Sequence, residues 1–326
     1  MLKKSRGNPS GGRKIQQPTA IGITLGDPSG VGSEILLKSL NFLRSLPYKF
    51  LIYGSKSALS YYAKALNLPF NLPPNASLIE TYPLKTTVPG KPDFDAAKAQ
   101  IEYIKKAVED AKKGKISAIV TLPINKETAA KGGFKFPGHT EFLAHLFGTK
   151  NFAMMLANEK LKVVLVTTHV ALKDVPKLIT EEKILTTLHL IHKTLKNPKI
   201  AVAALNPHAG EGGLFGDEEI KIIAPAVEKA KSEGINAVGP ISSDTVFVRA
   251  VKGEFDVVLC MYHDQGLIPI KLLGFGNSVN VTLGLPVIRT SVDHGTAYDI
   301  AGKGIANPES FQLAVKTAID LLTATS

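Results

Sequence analysis

The stretch Phe255-Asp256-Val257-Val258-Leu259-Cys260-Met261-Tyr262-His263-Asp264-Gln265-Gly266 decides the fold: a short apolar run stops abruptly in polar residues and a glycine. The same form recurs along the chain. Residues 200–205 run into Asn206-Pro207-His208, residues 162–168 into His169, and residues 116–121 into Pro123-Ile124-Asn125-Lys126. Nearer the N-terminus, residues 21–25 and 50–53 read as strands. The first is followed by the loop Gly26-Asp27-Pro28-Ser29-Gly30-Val31-Gly32 and a helix from about Glu34. Helical patterns lie between such runs. One extends from an N-cap at Asp95 to about Lys113, with Ile101, Ile104, Val108 and Ala111 on one face and Gly114 ending it. Residues 71–92 are rich in proline and read as a loop holding an irregular strand. The alternation predicts an α/β fold built on a parallel sheet with crossover helices. Ligands of such sheets gather at the carboxyl ends of the strands. Here three ends deliver a histidine and a fourth delivers a lysine.

At 326 residues the chain is long for one core and comfortable for two. Hydrophobic residues at 44% and charged residues at 21% are a globular composition. Few aromatics and no tryptophan argue against a protein that works by stacking bases or sugars. The single cysteine, Cys260, makes no intramolecular disulfide, so a reducing, cytoplasmic setting is expected. No apolar run approaches the ~18 residues of a membrane helix, and no apolar stretch follows the basic N-terminus as in a secretory signal. Of the net charge of +11, five units come from Lys3, Lys4, Arg6, Arg13 and Lys14, which leaves +6 for the rest. Residues 1–18 hold no acid and read as a disordered basic tail, a solvated extension rather than a nucleic-acid arm. The basic body suits small anionic ligands, and neither nucleic acid nor membrane is an expected partner.

His169, His208 and His263 stand at equivalent strand ends. Imidazole is the commonest protein ligand of zinc-like metals, and catalytic sites use three protein ligands with one position open. Spacing alone leaves a metal site and three unrelated loop histidines equally open. His145, His189 and His192 fall in helical patterns, whereas the other five, including His139 and His294, lie in loops rich in Gly, Asp and Thr. Lys271 and Arg289 lie between apolar segments and can hold a phosphate or carboxylate, arginine in bidentate fashion. Asp244 and Asp264 can orient an imidazole, hold a substrate amine or cap local structure. Lys126 is a further candidate. The loop 26–32 lacks the Lys-Ser/Thr of a P-loop and does not match GxGxxG, so it reads as a tight strand-to-helix turn.

His294-Gly295-Thr296-Ala297-Tyr298-Asp299-Ile300-Ala301-Gly302-Lys303-Gly304-Ile305-Ala306-Asn307-Pro308 resembles the adenosine-binding loop of the isopropylmalate and isocitrate dehydrogenase superfamily. That resemblance implies cofactor contacts at His294, Gly295, Thr296, Ala297, Asp299 and Asn307. Asp299 suits ribose hydroxyls and repels a 2′-phosphate, so NAD is expected, with NADP the alternative. The segments 26–32, Pro137-Gly138-His139-Thr140-Glu141, Asn206-Pro207-His208-Ala209-Gly210-Glu211, Met261-Tyr262-His263-Asp264-Gln265-Gly266 and Arg289-Thr290-Ser291-Val292-Asp293-His294-Gly295-Thr296 together resemble the 4-hydroxythreonine-4-phosphate dehydrogenase family. Ser29 and Ser33 depart from its commoner Ala and Pro, and the basic tail lies outside the likeness.

The resemblance implies two α/β domains with a cleft between them, isocitrate/isopropylmalate dehydrogenase-like rather than Rossmann. One domain takes residues 19–132 and 290–326, the other residues 133–289. It implies a homodimer with sites at the subunit interface. It also implies one divalent ion (zinc, cobalt or magnesium) on His169, His208 and His263. Substrate contacts are expected at His139, Thr140, Lys271, Asn280 and Arg289. The implied reaction is NAD-dependent oxidation of 4-phosphohydroxy-L-threonine to a β-keto acid that loses carbon dioxide, a step of vitamin B6 biosynthesis. The general base stays open among His139, Lys271 and Asp244. The nearest rival is a threonate or erythronate 4-phosphate dehydrogenase. A phosphate acyltransferase on a similar fold needs neither the histidines nor the adenosine loop.

Overall fold

Strand β1 (Ala20–Thr24) is buried along its whole length, as a strand covered by helices on both faces must be. The computed structural model describes residues 20–274 and 277–325; the expected tail at residues 1–18 lies outside them. Ten further strands join β1 in one sheet: β2 (Phe50–Gly54), β3 (Ala76–Glu80), β4 (Ile116–Thr121), β5 (Ala153–Ala157), β6 (Lys162–Leu165), β7 (Ile200–Ala203), β8 (Ala237–Ile241), β9 (Val257–Cys260), β10 (Val279–Leu283) and β11 (Ile288–Val292). Their spatial order is β3-β2-β1-β4-β11-β10-β5-β6-β9-β7-β8.

The sheet is not parallel throughout. One wing, from β3 to β11, is parallel, and so is the other, from β6 to β8. Between them three successive pairings, β11 with β10, β10 with β5 and β5 with β6, are antiparallel. Three reversals leave the second wing running against the first. The carboxyl end of β4, with Lys126 beyond it, therefore faces the opposite edge of the sheet from the carboxyl ends of β6, β7 and β9. The four polar strand ends do not share one edge. Antiparallel neighbours need only a short connection, and residues 284–287 supply it between β10 and β11.

The helix Phe94–Lys112 lies against β1, β2 and β4 and buries Ile101, Ile104, Val108 and Ala111, the face read from the sequence. Its cap is Asp93, whose side chain accepts from the Ala96 N–H at 2.8 Å, rather than Asp95. An extended Asp93 satisfies an otherwise free amide of the first turn. The loop after β1 is the expected tight turn. Gly26 has φ +69, and a Cβ there would lie 2.1 Å from the Pro123 carbonyl oxygen.

Candidate active site

Residues of β5, β10 and β11 (Ala153, Met154, Asn280, Arg289 and Ser291) line a cavity of about 610 Å³. Arg289 on β11 is its most constrained residue. It is 2% exposed, and its guanidinium donates to Thr121 Oγ1 at 2.8 Å, Thr282 Oγ1 at 3.0 Å and Thr140 Oγ1 at 3.4 Å. Hydroxyl dipoles are its bonding partners, and its buried Nε has none. Burial lowers its pKa to about 10, with Glu141 acting the other way, so the cation persists at neutral pH. A buried charge without a counter-charge is costly unless an anion enters beside it.

Asn280 on β10 turns the same way, its buried Oδ1 without a partner. His139 opens the helix His139–Phe147, and its Nε2 is likewise buried and unpartnered. The residue keeps some surface open to the cavity, although its Nε2 is buried. Burial first, then Arg289 and Lys126, hold the imidazole well below its ordinary range. His139 is neutral at pH 7. Lys126, Thr140 and His169 line the same cavity.

A charge penalty of this kind is readable in stability. The unfolded chain protonates this ring below about 6.5, whereas the folded one resists. The stability it carries is present above that value and lost as the pH falls below it. The slope approaches ~1.4 kcal/mol per pH unit for one proton. Unfolding midpoints measured between about pH 7.5 and about pH 5 are expected to fall less steeply in His139→Asn than in the parent. Parallel curves for the two proteins would show that the ring carries no such penalty.

A smaller hollow of about 250 Å³ adjoins the first through Thr168, His169 and Val170. In it the His169 and His263 rings stand with centroids 5.5 Å apart. The His263 Nδ1 meets Asp264 Oδ1 at 2.7 Å. A carboxylate on one ring nitrogen fixes the tautomer and leaves the other free to ligate, the usual support of a metal-bound histidine. The ends that carry these rings are tied together. Thr167 Oγ1 donates to the Met261 carbonyl at 2.7 Å. Gln265 accepts from Met261 N and donates to the Ala204 carbonyl and to Ser243 Oγ.

His208 stands apart. Among the described residues no group of three or more His, Cys, Asp or Glu side chains is placed to hold a metal ion. His208 is exposed and opens a run of positive φ through Ala209, Gly210, Glu211 and Gly212. Left-handed backbone in non-glycine residues costs roughly 1–2 kcal/mol each and needs outside support. Glu219 supplies it. Its buried carboxylate accepts from Leu205 N and Asn206 N, both at 2.7 Å, and from Asn206 Nδ2 at 2.9 Å. Glu219 and Gln265 were not among the residues picked out from the sequence. Glu219 lies outside every motif segment, Gln265 stands within residues 261–266 only as part of the motif, and the backbone and side-chain groups they bond are brought near only by the fold.

Two expected residues lie elsewhere. Lys271, on the helix His263–Gly274, is outside the cavity wall, and its charge acts with that of His294 on Asp293. Asp244 is exposed and lines neither hollow. The loop 294–307 also lies outside the larger cavity but meets the helix whose first residue, Lys126, lines it. The Tyr298 hydroxyl meets Thr128 Oγ1 at 3.0 Å, in the helix that begins with Lys126. His294, Gly295 and Asp299 are exposed, Thr296 is buried, and Ala297 has φ 44. Asn307 is used structurally, its Oδ1 accepting from Glu309 N at the start of the last helix.

This geometry can be set beside known proteins. A family model described as pyridoxal phosphate biosynthetic protein PdxA matches residues 47–318. The chain belongs to the PdxA family. Among similar PdxA relatives is the 4-hydroxythreonine-4-phosphate dehydrogenase of Sulfurihydrogenibium sp. (strain YO3AOP1). It is 47% identical over 92% of this chain and 97% of its own length. The D-threonate 4-phosphate dehydrogenase of Pectobacterium atrosepticum is 42% identical over 92% of this chain and 98% of its own. The crystal structure of 4-hydroxythreonine-4-phosphate dehydrogenase from Klebsiella pneumoniae superposes with a TM-score of 0.83 at 39% identity, covering 93% of this chain and 99% of that one. The PdxA chain is thus a dehydrogenase, and its fold is the isocitrate/isopropylmalate dehydrogenase-like one expected from the sequence. Among the described residues no helix is long and apolar enough to cross a membrane.

Proposed function

We propose that this chain oxidises 4-phosphohydroxy-L-threonine with NAD, giving 2-amino-3-oxo-4-phosphobutanoate, which loses carbon dioxide to leave 3-amino-2-oxopropyl phosphate. The observation that carries the reading is Arg289, a buried cation tied to hydroxyls in the wall of the cavity. It matches a phosphate or carboxylate entering there, with the Asn280 Oδ1 free to accept from a substrate donor. The substrate's secondary hydroxyl gives its proton to His139, unprotonated and facing the same space. The loop 294–307 would hold a nicotinamide cofactor, which when bound would supply the acceptor for the hydride of that carbon. Asp299, exposed on that loop, favours NAD over NADP. The resulting 3-oxo acid then releases its carboxylate as carbon dioxide.

A divalent ion fits the two imidazoles of His169 and His263 and the carboxylate behind one of them. When bound, it acts as a Lewis acid on the substrate's oxygens. Zinc or cobalt suits imidazole ligands, and magnesium serves where the substrate adds oxygens. The third ligand, His208, comes from a second copy of the chain, so the working unit is a homodimer. The loop beyond His208 exposes Leu214 at 73%, and the helix behind His263 exposes Leu272 at 83%. These are apolar side chains suited to cover by another subunit. The wing from β3 to β11 and the wing from β6 to β8 then correspond to the two domains, with the cavity as the cleft between them.

A second reading is favoured by the relative from Pectobacterium: oxidation of D-threonate 4-phosphate. The two substrates differ by an amine against a hydroxyl. NADH formation is to be measured with 4-phosphohydroxy-L-threonine and with threonate and erythronate 4-phosphates, with and without a chelator. The expected result is turnover of the amino-acid phosphate, abolished by chelator and restored by a divalent ion. Turnover of the sugar-acid phosphates alone would move the chain to the second reading, and NADH from none of them would end both.

A further inference from the structure

The loop 294–307 is strained and held from one side. Ala297 has φ 44, and Gly302 and Gly304 both have φ +75. Backbone of this kind keeps its shape only where its surroundings fix it. Apart from Thr128, which meets the Tyr298 hydroxyl, the fixing groups come from residues 27–38, the turn after β1 and the helix Gly32–Lys38. Val31 N donates to the Thr296 carbonyl at 3.0 Å. The Tyr298 hydroxyl donates to Asp27 Oδ2 at 2.6 Å. Asp27 is itself fully buried and held by Ser29 N and Gln100 Nε2.

The other end of the loop is gripped by a buried ion pair. Glu34 and Lys38 stand 2.8 Å apart, one turn from each other, with the Glu34 side chain fully buried. Glu34 accepts from Ala306 N at 2.8 Å and Gly304 N at 3.3 Å. Lys38 Nζ donates to the Gly304 carbonyl at 2.7 Å and the Ala306 carbonyl at 2.8 Å. Both charges thus face the same two residues, Gly304 and Ala306, the acid on their N–H groups and the base on their C=O groups. An ammonium has three protons, and these three acceptors use them all. Lys38 is therefore spent on the loop's shape and has no proton left for a phosphate of the cofactor.

We infer that Asp27, Glu34 and Lys38 are positioning residues for the dinucleotide. They clamp the loop 294–307 in the shape that receives the adenosine half, and touch neither cofactor nor substrate themselves. The inference rests on the reading of 294–307 as the cofactor loop. It gives the turn 26–32 a role beyond a tight connection. It also explains why a charged pair is kept where an apolar pair would fill the space: only opposite charges grip both sides of a peptide backbone.

The test is Glu34→Gln, with Lys38→Met as a second lesion of the same pair and Asp299→Ala as a control inside the loop. Three quantities are read: NAD binding by titration calorimetry, the separate KM values for NAD and for the phosphorylated substrate, and amide hydrogen exchange. Loss of preorganisation is expected to raise the Kd and KM for NAD about tenfold in both clamp variants. Substrate KM and kcat at saturating NAD stay within about twofold. Exchange is expected to rise at Gly304 and Ala306 while β1 and β4 keep their protection. NAD binding unchanged in Glu34→Gln and Lys38→Met but lost in Asp299→Ala overturns the clamp and leaves the cofactor loop standing. NAD binding unchanged in all three overturns the cofactor loop and the clamp with it. Exchange raised across the whole chain, with both KM values rising together, makes the pair merely structural and also overturns the inference.

Discussion

Arg289→Met is expected to lower kcat/KM by about three orders of magnitude while leaving the protein at least as stable as the parent. The loss follows from removing the buried member of a charge pair made with the substrate anion, worth roughly 2–5 kcal/mol. The stability follows from the other side of the same ledger. In the free protein the guanidinium is buried against three hydroxyls, with Glu141 acting on it without a direct ion pair, so an apolar side chain of similar volume removes a desolvation penalty. The hydroxyls of Thr121 and Thr282 lose a partner, which offsets part of the gain. Arg289→Lys keeps the charge but not the fork and is expected to fall between. Steady-state kinetics and thermal unfolding of the same preparations check both halves. A fall in kcat/KM of less than tenfold would remove Arg289 from the substrate's path. A cooperative loss of stability would make its burial structural.

His169→Ala and His208→Ala are each expected to reduce turnover by about a thousandfold or more, since several kcal/mol of Lewis-acid stabilisation goes with the ion. The informative experiment mixes them. A site built from His169 and His263 of one copy and His208 of the partner subunit is broken twice in one half of a hybrid dimer and whole in the other half. Unfolding and refolding the two inactive variants together should return about a quarter of the parent's activity, because half the dimers are hybrids with one intact site. A mixture of His169→Ala with His263→Ala should return nothing, because each lesion breaks the site its own copy builds and the hybrid keeps neither site whole. Recovery in neither mixture would place all three ligands in one chain. Calorimetric titration with zinc should follow the same pattern as turnover.

Much of this was written in the sequence. The apolar runs with polar ends marked β4, β6, β7 and β9, and the buried face of the helix Phe94–Lys112 was legible from spacing alone. Strand direction was not. A run such as residues 279–283 has the same composition whichever way its neighbours point, so the three central reversals stayed hidden and all the strand ends seemed to share one edge. Caps are decided by backbone geometry, which is why Asp93 rather than Asp95 takes that place. Lys271 and Asp244 are charged residues in suggestive positions, and in the single chain they lie outside the walls of both hollows. Glu219 and Gln265 escaped for the opposite reason. Their chemistry is ordinary, and only the folded chain shows a buried carboxylate and amide tying the strand ends that carry His208 and His263.

The central hairpin of β10 and β11 also fixes an order of events in the making of the protein. It fills the gap between β4 and β5, strands synthesised more than a hundred residues earlier. Until the ribosome has passed Val292, each of those strands presents a bare row of amides and carbonyls on the side where its neighbour will lie. Such open edges invite pairing with other chains. The two wings can each begin to condense as they emerge, but the piece that joins them arrives last. It carries Asn280 and Arg289 with it, so the chain gains these two cavity residues and closes those open edges in the same step.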